Sequence, residues 1–276
     1  MRHLLNDGNW EVIAVTCDLR APAALRMQNM GALLHQADPA SQAAVANAVR
    51  SAYGVFFVLQ PWDLGNTNSD PEKELLQGRN VIWACHVARI KHVVFSSIIN
   101  PDNIPSGIPH FDNKVEIERM IQKKQLPFTI IRCGIFMDNI GYSFMRLSDN
   151  VFSSYFAGAT ALPFLSYDDV GKCTVHLFNN PDEFLGQTLD LAGDLVSGEQ
   201  LAGIARKVCW GRDFFYGSTP PFLIRVFRPA DYVIRRYFER YSTGEGQVLM
   251  IRALQRSRSL FPYLKIVEDM LAALIR

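Results

Sequence analysis

Residues 54–60, GVFFVLQ, are apolar at every position except the two ends. That is the composition of a strand buried on both faces. A chain that contains such a strand has to cover it twice, and its neighbours supply what that requires. EVIAVT (11–16), ALLHQAD (32–38), HVVFSS (92–97) and PFTIIRCGIF (127–136) read as further strands. Between them lie amphipathic runs of helical length: LRAPAALRMQNMG, stopped by Gly31, then SQAAVANAVRSA, DPEKELLQGRNVIWACHVARI and a segment from about His110 to Lys124. Asp70 is placed to cap the third of these helices and Pro71 fits its first turn. PWDLGNTNSD reads as a loop from its Pro, Gly, Asn and Asp. Strands alternating with helices at this spacing predict an α/β fold with a parallel sheet and helices on both faces.

From about residue 137 the pattern changes. Strand signals become sparse, TLDLAG at 188–193 being one, and helices dominate. In the last segment, YLKIVEDMLAALI, Leu264, Val267, Leu271 and Leu274 form one stripe and predict a docked amphipathic helix. The expected organisation is a core over 1–136 and a smaller, mostly helical lobe over 137–276.

Composition excludes several function classes. A net charge of +1 gives no global pull toward nucleic acid or an anionic membrane. In RVFRPADYVIRRYFERY five arginines interleave with aromatics, a pattern that can bind single strands. At this net charge it reads instead as an amphipathic helix with a solvated basic face, its aromatics free to line a pocket or grip a protein partner. The five cysteines, Cys17, Cys85, Cys133, Cys173 and Cys209, are scattered and never spaced C-x-x-C, which fits reduced thiols. The histidines lack ligand spacing, so no metal site is expected. No apolar run approaches the roughly 20 residues needed to cross a bilayer. LLNDGNWEV breaks where a signal peptide would be continuous, so the expected location is the cytosol or the nucleus.

EVIAVT–DLR, the QAD closing the second run, HVVFSSI, HFDNKVEIERMI, PFTIIRCGIFMDN, FLSYDDVGK and LDLAGDLVSGEQLA occur in this order between about residues 3 and 210. Together they resemble the NmrA-like family, atypical short-chain dehydrogenases/reductases that bind NADP(H). The resemblance implies a Rossmann-like doubly wound parallel sheet, with 1–136 as the NAD(P)-binding core and 137–276 as a substrate or partner lobe. Family members begin with a strand and a G-x-x-G-x-x-G turn that leads into a helix ending like LLNDG. The opening HLLNDG of this sequence resembles the end of that helix, so the fold is expected to lack its first strand and glycine-rich turn. A misplaced start, an alternative transcript or real degeneration would each account for that. Glycines of such a turn let backbone approach a pyrophosphate at a helix N-terminus, so NADP binding is expected to be weakened. The strands 11–16 and 54–60 would flank the missing one, and are expected either to pair directly or to leave a gap.

The resemblance also implies site residues. His110 and Lys114, four apart on one helix face, stand where ordinary members of the larger superfamily have Y-x-x-x-K. Lys114 would hold the ribose, and His110 would supply a proton or merely cap its helix. Ser96 and Ser97 end the strand 92–97, at the carboxyl end that faces the ligand crevice of a parallel sheet, so one of them, Ser96 first, would bond a substrate carbonyl or the nicotinamide ribose, or merely close the strand. Gln60 and Pro61, followed by Trp62, would line the nicotinamide side. Arg20 would meet a 2′-phosphate, whereas Asp18 would suit a free 2′-hydroxyl. Asp38 would flank the adenine. Cys133 replaces the proline of an R-P-G motif near the nicotinamide. Two kinds of partner are implied, a small organic substrate reduced by hydride or a regulatory protein bound by a non-catalytic sensor. A truncated form without cofactor binding is the third reading.

Overall fold

The structure is a computed structural model. It describes residues 1–59, 70–142, 144–210 and 212–274. Contacts divide the chain into two compact units, neither continuous in sequence. The first comprises Met1–Ser97, Pro109–Ile131 and Gly171–Leu189, and the second Ile98–Ile108, Arg132–Val170 and Asp190–Arg276.

The first unit carries the alternation read from the sequence. Its elements are α1 (Arg2–Asp7), β1 (Ile13–Thr16), α2 (Pro22–Asn29), β2 (Leu33–Gln36), α3 (Gln42–Val49), β3 (Gly54–Phe57), α4 (Pro71–Val87), β4 (His92–Ile98), α5 (Pro109–Lys123) and β5 (Phe128–Cys133). Local chemistry sets several boundaries. Asp70 accepts from the Lys73 N–H at 3.0 Å and Pro71 opens α4, as expected. Ser41 caps α3 through the Ala44 N–H. Gly31, at φ 101°, turns the chain from α2 into β2 in a conformation that side chains avoid.

Two sheets form where one continuous sheet would be expected of the alternation. β1 pairs with β2 in parallel, Ile13 opposite Leu33 and Thr16 opposite Gln36. β3 pairs in parallel with β4, Gly54 opposite His92 and Phe57 opposite Phe95, within a four-stranded sheet whose order is β11-β5-β4-β3, where β11 is Gln187–Leu191. Among the described residues β1 and β3 share no ladder, so the gap, not direct pairing, is what forms. Their approaches nevertheless meet. Trp10, just before β1, lies 5.3 Å from the Tyr53 ring just before β3 and 5.7 Å from Phe178.

The core of this unit is one face of the larger sheet. Phe57 and Leu59 pack with Val93 and Phe95 against Val45 and Val49 of α3, Val81, Ile82 and Cys85 of α4, and Ile117 and Ile121 of α5. The expectation that 54–60 is buried on both faces is corrected here. Val55, Phe57 and Leu59 alternate into that core, while Phe56 and Val58 on the other face are 38% and 51% exposed. The reason is a lack of cover at the sheet's edge. Val94, the register partner of Phe56 one strand further in, is fully buried on the same face.

The second unit holds β6 (Ile135–Phe136), a 3-10 turn at Met137–Asn139, β7 (Ile140–Gly141), β8 (Met145–Ser148), β9 (Val151–Ser154) and β10 (Leu162–Leu165). Along the chain α6 (Tyr167–Asn179) and α7 (Pro181–Phe184) follow, most of them belonging to the first unit. The second unit resumes with β12 (Asp194–Val196), α8 (Gly198–Val208), β13 (Phe215–Ser218), α9 (Pro221–Phe227), α10 (Pro229–Arg240), α11 (Gly244–Leu260) and α12 (Val267–Leu274). The helices were legible. The sheets β12-β10-β6 and β13-β9-β8-β7 were not, because strands of two to four residues carry too little periodicity. Leu264, Val267 and Leu271 are buried as the stripe predicts, whereas Leu274 is 38% exposed where the helix ends.

Candidate functional site

Of the residues implied by the sequence, Lys114 is one whose bonds reach the carboxyl end of a strand in the first unit's larger parallel sheet, where open α/β sheets present their ligand crevices. Lys114 is held by bonds to two separate elements. It sits on α5, and its Nζ donates to the Leu59 carbonyl, just past the end of β3, at 2.6 Å. The same ammonium donates to Glu74 Oε1 in the first turn of α4 at 3.1 Å. Glu74 Oε2 accepts from Asn113 Nδ2 at 3.1 Å, and that amide also donates to the Pro71 carbonyl at 2.8 Å.

These bonds exist because α4 and α5 approach closely. A β-carbon on Gly78 would come within 2.9 Å of Ile117 Cγ1, so any other residue there would push the helices apart. Lys114 is 13% exposed at its side chain and Glu74 not at all. The carboxylate therefore stands in a buried ion pair near the positive end of its own helix.

His110 lies one turn before Lys114 on α5, half-buried, with its ring 4.7 Å from Phe111 in an edge-on arrangement. Burial, aided by the Lys114 charge and opposed by Asp112, lowers its pKa to about 4. Its imidazole is neutral near pH 7, with one N–H to donate and one bare nitrogen to accept. As an imidazolium acid it would be scarce.

Ser96 is buried in β4. Its neighbour Ser97 donates to the buried carboxylate of Glu118, one turn beyond Lys114 on α5. Arg20, past β1, has a side chain 96% exposed, and its backbone N–H donates to Asp18 Oδ1 at 2.9 Å. Asp38, past β2, is exposed and closes its own turn by accepting the Ala40 N–H at 2.8 Å. Gln60, Pro61 and Trp62 lie outside the described residues. Cys133 belongs to the second unit, where it is buried and its carbonyl accepts the Ile99 N–H at 2.9 Å.

The structure thus joins Lys114 to His110 through α5, and leaves Arg20 and Asp38 each bonded within its own loop. Sequence reasoning missed Glu74, Asn113 and Glu118. Glu118 carried a weak signal, four residues after Lys114 on one helix face. Glu74 carried none, since nothing local announces which helices meet.

In the second unit, Tyr241 is 1% exposed, accepts from Arg240 at 2.7 Å and donates to Asp102 Oδ1 at 2.7 Å. Burial, then the bond to Asp102, pushes it up to about 12. Tyr237 donates to the Ile99 carbonyl at 2.7 Å, so α10 pins the segment that follows β4. The expected solvated basic face is corrected in part. Arg235 is 6% exposed and donates to the Tyr155 and Thr219 carbonyls, because buried carbonyls there need a donor.

Comparison with known proteins shows what the chain as a whole is similar to. The family model described as the NmrA-like family matches residues 1–237. An NmrA-like family domain-containing protein of Dictyostelium discoideum is 23% identical over 75% of this chain and 72% of its own length. An NmrA-like family domain-containing oxidoreductase of Malbranchea aurantiaca is 25% identical over 71% of this chain and 63% of its own, and quinone oxidoreductase 2 of Escherichia coli is 25% identical over 47% and 41%. This chain therefore spans less than two thirds of the last two. Among solved structures, the negative transcriptional regulator NmrA in complex with NADP superposes with a TM-score of 0.76 at 19% identity, covering 99% of this chain and 91% of that one. The NADPH-dependent quinone oxidoreductase of Escherichia coli, complexed with NADPH, gives 0.72 at 18% identity, covering 99% and 96%. These structural likenesses establish the fold.

Proposed function

The chain belongs to the NmrA-like family, and from that premise we propose that it binds NADP(H) and reduces a small organic carbonyl or unsaturated compound. The observation that carries the reading is the Lys114 ammonium, fixed at the carboxyl end of β3 with two of its three N–H groups engaged among the described residues. The third suits a ribose hydroxyl, so the residues present fit the nicotinamide-ribose end of the cofactor. When bound, that cofactor supplies a hydride to the substrate carbon. Lys114 would orient the ribose, the exposed guanidinium of Arg20 would be available for a 2′-phosphate, and Asp38 would flank the adenine. The reduced substrate also needs one proton, and His110 is the group placed to pass it on by hydrogen bonding.

The sequence contains no G-x-x-G-x-x-G turn to approach a pyrophosphate, and β1 and β3 present edges without a shared ladder. A form carrying an additional strand and such a turn ahead of α1 is expected to bind more tightly. Calorimetric titration of both forms with NADPH tests this, and equal affinities would sink it. Absence of binding by either form, or binding untouched by Lys114→Ala, would overturn the reading itself.

A second reading, a sensor that binds NADP and a protein partner without turnover, is favoured by the setting of His110, half-buried against the Phe111 ring, where burial lowers its pKa to about 4 and leaves a neutral imidazole, a poor acid, near pH 7. In an active form His110→Ala cuts turnover with cofactor affinity kept if the enzyme reading holds. Binding without turnover in any form supports the sensor.

A further inference from the structure

We propose that Glu74, held by Asn113, is a positioning residue that fixes the Lys114 ammonium and reserves one of its N–H groups for a ligand oxygen. The ligand part of this rests on the cofactor reading above. The positioning part does not.

A lysine ammonium is a mobile point charge on a four-carbon stem. Here it is confined from two directions. The Leu59 carbonyl takes one proton at 2.6 Å and Glu74 Oε1 a second at 3.1 Å. The carboxylate is itself confined, because its other oxygen is held by Asn113 Nδ2, whose second proton goes to the Pro71 carbonyl. The result is an unbroken run from the first turn of α4, through α5, to the end of β3. Asp70 and Pro71 fix the backbone at one end of it and Gly78 lets the two helices close around it.

The other charged groups around Lys114 are disposed differently. His110, one turn before it, is kept neutral by burial and by the lysine's own charge, with Asp112 opposing. Glu118, one turn after, receives the Ser97 hydroxyl. Glu74 is the carboxylate in direct contact. A buried ion pair is weak as a stabilising device, since an apolar pair of the same volume serves as well. What the pair provides is a fixed place for a cation at the strand ends.

The test reads Lys114 directly. Acetylation by acetic anhydride, followed peptide by peptide in a mass spectrometer from pH 7 to 10, compares the native chain with Glu74→Gln and with Glu72→Gln, a control in the same helix turn. In Glu74→Gln the cation loses its counter-charge while buried. Lys114 is expected to react faster at pH 8 by roughly ten-fold, because its amine is no longer held by the carboxylate. Glu72→Gln leaves it unchanged. Unchanged Lys114 reactivity in folded Glu74→Gln would overturn the proposal.

Melting curves add a second, independent arm. Glu74→Gln and Lys114→Met are each expected to lower Tm, and the double variant to recover most of the loss. A double variant as unstable as the sum of the singles would count against the pairing. NADPH titration separates the two ideas. Raised reactivity with affinity reduced roughly ten-fold supports both. Raised reactivity with unchanged affinity keeps the brace and removes Lys114 from the cofactor site.

Discussion

β1 and β4 are both strands of a parallel pairing in the same unit, and they live in different surroundings. β4 is paired on each side, and six of its seven residues are buried. Among the described residues β1 is paired with β2 alone, and its Ile13 and Val15 are 37% and 46% exposed, with Leu33 of β2 at 52%. The two strands have similar composition, so sequence did not make the difference. Neighbours did: a strand's burial is conferred by what lies beside it and over it.

The largest consequence expected is in local opening. Amide exchange in β1 and β2 should proceed at least about 100-fold faster than in β4, a gap of roughly 3 kcal/mol in opening free energy, because few buried contacts oppose the opening. Equal protection would show that the β1–β2 pair has found cover not described here, and would end the comparison.

Side-chain truncation should separate the strands as clearly. Phe95→Ala removes a fully buried ring whose centroid lies 4.8 Å from that of Phe57 in a tilted arrangement, and should cost about 3–5 kcal/mol in urea unfolding. Val15→Ala should cost less than about 0.5 kcal/mol. A large loss at Val15 would contradict the exposed face.

Acid should act through β4 and spare β1. His92 opens β4, is fully buried, and packs edge-on against Phe178. Its Nε2 lies 2.8 Å from Thr129 Oγ1, which donates to the Phe184 carbonyl, so the ring donates through Nε2 and Nδ1 has no partner among the described residues. Burial lowers its pKa to about 4. A histidine lowered on folding binds its proton more readily when unfolded, so its contribution is complete above about pH 6.5 and is lost as pH falls toward 4. The slope expected is about 1.4 kcal/mol per pH unit within that window. Unfolding measured between pH 7.5 and 4.5 checks it. His92→Phe should flatten part of the slope, and an unchanged slope would assign the acid sensitivity elsewhere.

The smallest effect sharpens the comparison. Val15→Thr, changing only an exposed side chain, should leave Tm within about 1 °C and reduce aggregation on heating, since exposed apolar strands next to open edges associate.

Much of this arrangement was legible in the residues. Asp70–Pro71 and Gly31 announced their turns, and the alternation of 54–60 with its neighbours announced a parallel sheet. The burial of Phe56 and Val58 was misread because an apolar run reports what a strand can bury, and only the tertiary setting decides whether anything covers it. Lys114 was found through its spacing from His110. Glu74 could not be, being 40 residues away along the chain and brought to Lys114 by helix packing that Gly78 permits. The short strands after 137 escaped for want of enough residues to show a period.

The interleaving of the two units has a consequence for biosynthesis. The first unit includes Gly171–Leu189, which brings β11 to the edge of the four-stranded sheet. A nascent chain leaving the ribosome therefore emits Pro109–Ile131, and then a long stretch belonging to the second unit, before the first can be finished. β5 must wait with one flank bare until β11 emerges. A pause in translation before residue 187 would prolong that exposure, so codon usage between 132 and 186 should influence the yield of folded protein.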